Sequence, residues 1–118
     1  MLILSILIGW SVHAADGSDV HFQGELLGKA PYRVQFVPPP AHHFNMGAPS
    51  KVEMSAPSGT KVGAMQKDEH KITVDFAGVA KVEDGCQVQA AFYVCNDANT
   101  YCKPVKQNFD CKTMAASK

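Results

Sequence analysis

The strongest constraint in this chain is where its four cysteines fall. Cys86, Cys95, Cys102 and Cys111 all lie in the last third of 118 residues, and the outer two positions have the same sum as the inner two. Residues directly opposite one another in an antiparallel hairpin keep a constant sum, so one register sets both pairs face to face. The flanking alternation agrees with that register. Cys86, Val88, Ala90, Phe92 and Val94 form an apolar set, while Gln87, Gln89, Ala91, Tyr93 and Cys95 form a more polar one. The same register sets Phe109 opposite Val88 and Val105 opposite Phe92 on the inner face. On the outer face it sets Asn108 opposite Gln89, Lys106 opposite Ala91 and Cys102 opposite Cys95. The expectation is a bridge Cys86–Cys111 walled into the core and a bridge Cys95–Cys102 offered to solvent.

The two pairs are separated by an odd number of positions along each strand, so they fall in opposite hydrogen-bonding classes unless a bulge intervenes. Pro104 donates nothing to a ladder, which makes irregularity near the tip plausible. The Cys86–Cys111 pair on the core face reads as a structural clamp that stabilises by ~3 kcal/mol through the unfolded chain. The tip pair flanks Asn96-Asp97-Ala98-Asn99-Thr100-Tyr101. It protects little chain entropy but is reachable by a thiolate, and access helps decide which disulfides exchange. Lys103 beside Cys102 favours a thiolate, and Asp97 opposes one.

Upstream, the chain reads as short strands. Val20 to Leu27, Tyr32 to Val37, Lys51 to Met54, Lys61 to Met65 and His70 to Phe76 are candidates, with Val34 and Phe36 as partners across a sheet and Ile72, Val74 and Phe76 on one face. Pro38-Pro39-Pro40, Gly47-Ala48-Pro49, Ala56-Pro57-Ser58-Gly59 and Glu83-Asp84-Gly85 punctuate them. No stretch keeps the apolar period of a helix. The fold class is therefore all-β, an immunoglobulin-like antiparallel sandwich of about seven or eight short strands closed by the cysteine-bridged hairpin. The tail from Thr113 to Lys118 is expected to fray.

Residues 1–15 read as a secretory signal peptide. Leu2 to Trp10 is an apolar run, and Val12-His13-Ala14 or His13-Ala14-Ala15 supplies a cleavage pattern. The run is too short for a membrane span, which needs ~20 apolar residues. A single domain over 16–118 follows, in the periplasm or secreted, where disulfides persist. Eleven basic and eleven acidic residues, scattered singly, give no footprint for nucleic acid or an anionic membrane.

A competing reading gathers His42, His43, Met46, Met54 and Met65 as soft ligands for copper. Against it, methionines commonly fill core gaps, and this spacing matches no specific metal signature. The four cysteines lack the spacing of a zinc site. No cofactor is expected.

Phe92-Tyr93-Val94-Cys95 through Tyr101-Cys102-Lys103-Pro104 resembles the redox motif of the N-terminal domain of the thiol:disulfide interchange protein DsbD. Pro40-Ala41-His42-His43-Phe44-Asn45, followed by Pro49-Ser50-Lys51-Val52 and Pro57-Ser58-Gly59, is similar to that family's upstream strand. The resemblance spans residues 30–112. It implies an immunoglobulin-like periplasmic domain whose exchanging pair, here Cys95 and Cys102, passes electrons to oxidoreductases and is recharged by a membrane partner. It also implies a shielding cap, for which Phe44 or Tyr101 is the candidate. The chain departs from the pattern in a tip loop one residue longer and in a second pair, Cys86 and Cys111. It reads as a free-standing module without the family's membrane and thioredoxin-like domains.

The leading expectation is thus a thiol–disulfide oxidoreductase component. Cys95 and Cys102 exchange with a partner protein, with Cys102 the favoured point of attack. Tyr93, Tyr101, Lys103 and Pro104 flank the site. The alternatives are a doubly clamped protein-binding module without redox turnover, or a periplasmic copper-binding protein.

Overall fold

Alternation of buried and outward residues marks the central strands Tyr32–Val37, Lys51–Ala56, Lys71–Phe76 and Gln87–Asn96, whereas Gly59–Val62 is exposed throughout. In the computed structural model, which describes residues 20–79 and 81–117, ten strands form and no helix is present among those residues. The proposed signal segment lies outside them. The strands are β1 (Gln23–Lys29), β2 (Tyr32–Val37), β3 (His42–Phe44), β4 (Lys51–Ala56), β5 (Gly59–Val62), β6 (Ala64–Asp68), β7 (Lys71–Phe76), β8 (Gln87–Asn96), β9 (Cys102–Asp110) and β10 (Ala116–Ser117). They build two antiparallel sheets, ordered β1-β2-β7-β6 and β10-β9-β8-β4-β5, with β3 also paired to β8. The result is the immunoglobulin-like sandwich expected, with more and shorter strands.

Tyr32, Val34 and Phe36 on β2 and Ile72, Val74 and Phe76 on β7 are buried. They face Val52, Val88, Ala90, Phe92 and Phe109 of the other sheet in one core. Outward on the same strands, Arg33 and Asp75 sit directly opposite and form an ion pair. Period two thus sorts each strand into a core face and a wet face.

Phe22 is the aromatic hub. It lies just before β1, 1 % exposed, with its ring 4.9 Å from Phe92 and 5.7 Å from Phe36. Its backbone is held by one side chain: Gln107 accepts from the Phe22 N–H (2.8 Å) and donates to the Phe22 carbonyl (3.0 Å). That amide substitutes for a ladder partner, satisfying both polar groups of a residue that no strand pairs. The first strand therefore starts at Gln23 rather than Val20. Leu27 follows Gln23 and Glu25 outward, 46 % exposed, and the register with β2 shifts there in a bulge between Leu26 and Gly28.

Two further expectations are corrected. Lys61 to Met65 is two strands, because the chain changes sheets at Gly63. A Cβ there would lie 2.3 Å from Val74 Cγ1. The tail is tied down through Ser117. Ala116 pairs with Phe109, Ser117 pairs with Asn108, and Met114 is buried. The Asp110 carboxylate accepts from the Lys112 and Thr113 N–H groups, and the Met114 N–H donates to the Asp110 carbonyl (2.7 Å). This tight turn drives Met114 into the core.

Candidate functional site

The β8–β9 ladder runs without a register shift from Gln87 opposite Asp110 to Cys95 opposite Cys102. Both bridges predicted from the cysteine positions are formed, and no described cysteine is free. They fall in opposite hydrogen-bonding classes, as odd spacing along an unbroken ladder requires. At the base, the Cys111 N–H donates to the Cys86 carbonyl (3.2 Å) and the Cα atoms are 5.4 Å apart. At the tip, the Cys95–Cys102 Cα separation is 4.0 Å, and the hydrogen bond falls one step outward, from the Asn96 N–H to the Tyr101 carbonyl (3.2 Å). Pro104 fits this pattern without a bulge.

The base bridge is sealed, with Cys86 3 % and Cys111 0 % exposed. Across from it, the Tyr32 hydroxyl donates to the Cys111 carbonyl (2.5 Å). Burial and the nearby Asp110 carboxylate push the Tyr32 phenol up to about 12.

The tip bridge is not evenly open. Cys102 is exposed, but Cys95 is only 2 % exposed, although it lies outside the contiguous core. The expectation that both sulfurs face solvent is corrected for Cys95. The reason is β3. β9 occupies one edge of β8, and the other edge is shared: β4 covers Gln87 to Ala91 and β3 covers Val94 to Asn96. His43 is therefore directly opposite Cys95, on the same face of the sheet. A cysteine expected near a hairpin edge has a neighbouring strand on both sides.

Two histidine pairings lock β3 over the tip, one on each face. On the core side, His42 Nδ1–H donates to the Pro40 carbonyl (2.8 Å), which leaves Nε2 to accept from the Tyr101 hydroxyl. On the bridge side, His43 Nδ1 donates to Asp97 Oδ1 (3.0 Å). The Asp97 N–H also donates to the Ala41 carbonyl (2.9 Å). The loop is organised by Asn96, whose side chain accepts from the Thr100 (2.8 Å) and Tyr101 (3.1 Å) N–H groups. Asn99 takes the left-handed conformation at φ 57°.

The predicted flanking residues divide between the faces. Tyr93 and Pro104 are opposite one another on the bridge face, two positions below Cys95 and Cys102. With Pro49, Ala91, Lys51 and Lys106 they line an apolar groove of about 490 Å³. Lys103 is opposite Val94 and leaves the sheet on the other face, so it is not the cation beside the Cys102 sulfur. Tyr101, held by His42, also belongs to the other face and does not cap the bridge. Phe44 is core, 1 % exposed and 5.1 Å from the Phe92 ring.

The suggested copper set is not gathered. Met54 is buried opposite Val88, and His42 is opposite Asn96. Eight strand positions separate those two, roughly 26 Å at the rise of a strand. Met65 pairs with Val74 in the other sheet. What sequence reasoning missed is the pairing of His43 and Asp97 with the tip. The run His42–Phe44 is too short to show alternation, so nothing local marks its register.

No family model and no curated protein matches this chain. Among solved structures, the crystal structure of the Neisseria meningitidis DsbD N-terminal domain in the reduced form is similar. It is 14 % identical at a TM-score of 0.47, over 86 % of this chain and 89 % of that one. Likeness at that level leaves the chemistry to be argued from the residues.

Proposed function

We propose that this chain is a thiol–disulfide exchange module of an oxidising compartment, in which the Cys95–Cys102 bond opens and the Cys86–Cys111 bond does not. One observation carries the reading: of four bridged sulfurs, only that of Cys102 belongs to an exposed residue. A partner thiolate attacks the Cys102 sulfur, a mixed disulfide forms at Cys102, and Cys95 leaves as a thiolate. In the reverse direction, Cys95 attacks Cys102 in the mixed disulfide and expels the partner. An exposed first cysteine and a covered second one suit attack and resolution respectively.

The partner is a protein dithiol or disulfide, either a periplasmic oxidoreductase or a membrane electron donor. The apolar groove at Tyr93 and Pro104 accommodates the chain that flanks its reacting cysteine. Export through residues 1–15, with 16–118 as the mature domain, accords with two disulfides in so short a chain. Among the described residues no helix is long and apolar enough to cross a membrane.

A trapping experiment tests this reading. Cys95→Ser leaves Cys102 without its resolving partner, so a disulfide-bearing thioredoxin-fold protein should accumulate as a covalent adduct at Cys102. Cys102→Ser should trap far less through the covered Cys95. Equal absence of adducts in both variants would leave a doubly clamped binding module as the better reading.

A further inference from the structure

A cysteine that leaves as a thiolate needs a proton or a cation beside it, and Lys103 emerges on the wrong face to supply one. The residue directly opposite Cys95 is His43, on the same side of the sheet. Cross-strand neighbours of this kind have Cβ atoms about 5 Å apart, within reach of an imidazole and a sulfur. The His43 side chain is 16 % exposed, and Asp97 fixes its tautomer. A carboxylate accepts only, so Nδ1 carries the hydrogen of that bond and Nε2 carries the lone pair. Asp97, just past the end of β8, is held beside β3 by its N–H to the Ala41 carbonyl (2.9 Å), and its carboxylate reaches the imidazole opposite Cys95. Nucleophile, base and orienting acid thus come from β8, β3 and the tip loop in the order that activated cysteines use.

Resting on the exchange reading above, we propose that His43, oriented by Asp97, is the proton carrier for Cys95 in each half of the exchange. When a partner thiolate forms its bond to Cys102, the Cys95–Cys102 bond breaks and its electron pair goes to Cys95. A proton taken up from water at His43 Nε2 passes to that sulfur, and the imidazole returns to the neutral form that donates from Nδ1 to Asp97. In resolution the proton returns from the Cys95 thiol to Nε2. The Cys95 thiolate attacks Cys102, and the partner leaves with the electron pair of the mixed disulfide. No other oxidant or reductant is required. Asp97 is a positioning residue, acting through His43. Among the neighbouring titratable groups, Tyr93 lies on the same face of β8, and His42 is adjacent on β3. Glu69 and His70 form the turn between β6, which ends at Asp68, and β7, and the Glu69 carbonyl accepts from the Phe44 N–H (2.8 Å).

The test uses the full chain and glutathione as probe. A mixed disulfide of glutathione at Cys102 is formed, and its release by Cys95 is followed against pH. His43→Gln should slow release about tenfold near neutral pH and move the profile up by about one pH unit. At high pH, where Cys95 ionises unaided, the two rates should converge. Asp97→Asn, which keeps the imidazole, should shift the profile the same way by less. A constant slowing of His43→Gln at every pH, or an unchanged profile, overturns the proposal while leaving exchange intact. If glutathione opens neither bridge in the parent chain, the exchange reading and this inference fall together.

Discussion

The Tyr32 hydroxyl donates to the Cys111 carbonyl (2.5 Å), joining the second strand of one sheet to the base of the bridged hairpin in the other. This buried contact crosses the sandwich at the sealed disulfide. Both cysteines of the base are buried, whereas at the tip Cys95 lies between β9 and β3 and Cys102 is exposed.

Tyr32→Phe removes the donor and leaves a buried carbonyl unpaired, which should cost about 1–3 kcal/mol in chemical denaturation. The phenol is raised to about 12 in the fold from an ordinary 10.0. The folded chain therefore holds this proton more tightly than the unfolded chain does. Its contribution is complete below the unfolded value and is lost as pH rises through the folded one, a decline between about pH 10 and pH 12 worth roughly 2–3 kcal/mol. In Tyr32→Phe, stability against pH should lack that share of the alkaline decline.

Gly63 marks the change of sheets, and Val74 Cγ1 occupies the space of any Cβ there. Gly63→Ala should destabilise by about 1–3 kcal/mol through overpacking. Gly28→Ala, whose nearest atom would be the Pro31 carbonyl oxygen at 3.5 Å, is the control and should stay within about 0.5 kcal/mol.

Phe22→Ala empties the hub between Phe36, Phe44, Phe92 and Phe109 and should cost about 3–5 kcal/mol. Leu27→Ser, on the outward side of the bulge, should change stability by less than about 0.5 kcal/mol. Thermal unfolding of the two variants separates core from surface on adjoining segments.

Asn96→Ala removes the side chain that accepts from Thr100 and Tyr101. The loss should be about 1 kcal/mol of local stability, read as faster hydrogen exchange at those two amides. Amides of the Cys86–Cys111 end should exchange unchanged.

The hairpin register was legible because β8 alternates, Val105 and Phe109 of β9 fall opposite its apolar set, and a cysteine stands at or beside each end of both strands. Any slip would have turned the apolar set outward. The β2 and β7 faces were legible for the same reason. Phe22 was not, since a single aromatic before a strand carries no period and its backbone is satisfied by the distant Gln107. Met114 was not, because a turn capped by Asp110 folds it inward from a tail that reads as polar. The cover over Cys95 was the costliest omission. It depends on a three-residue strand pairing far along the chain, and sequence distance hides contacts of that kind. The pairing of the cysteines could be read from position alone, whereas the unequal exposure of the two tip sulfurs could not.

The most direct test is to equilibrate the oxidised chain in a graded series of dithiothreitol buffers, alkylate the thiols formed, and map them by mass spectrometry. The account predicts that Cys95 and Cys102 are labelled together under mild reduction, while Cys86 and Cys111 remain bridged until the fold is lost. Opening of both bridges over the same range, or of Cys86–Cys111 first, would contradict it.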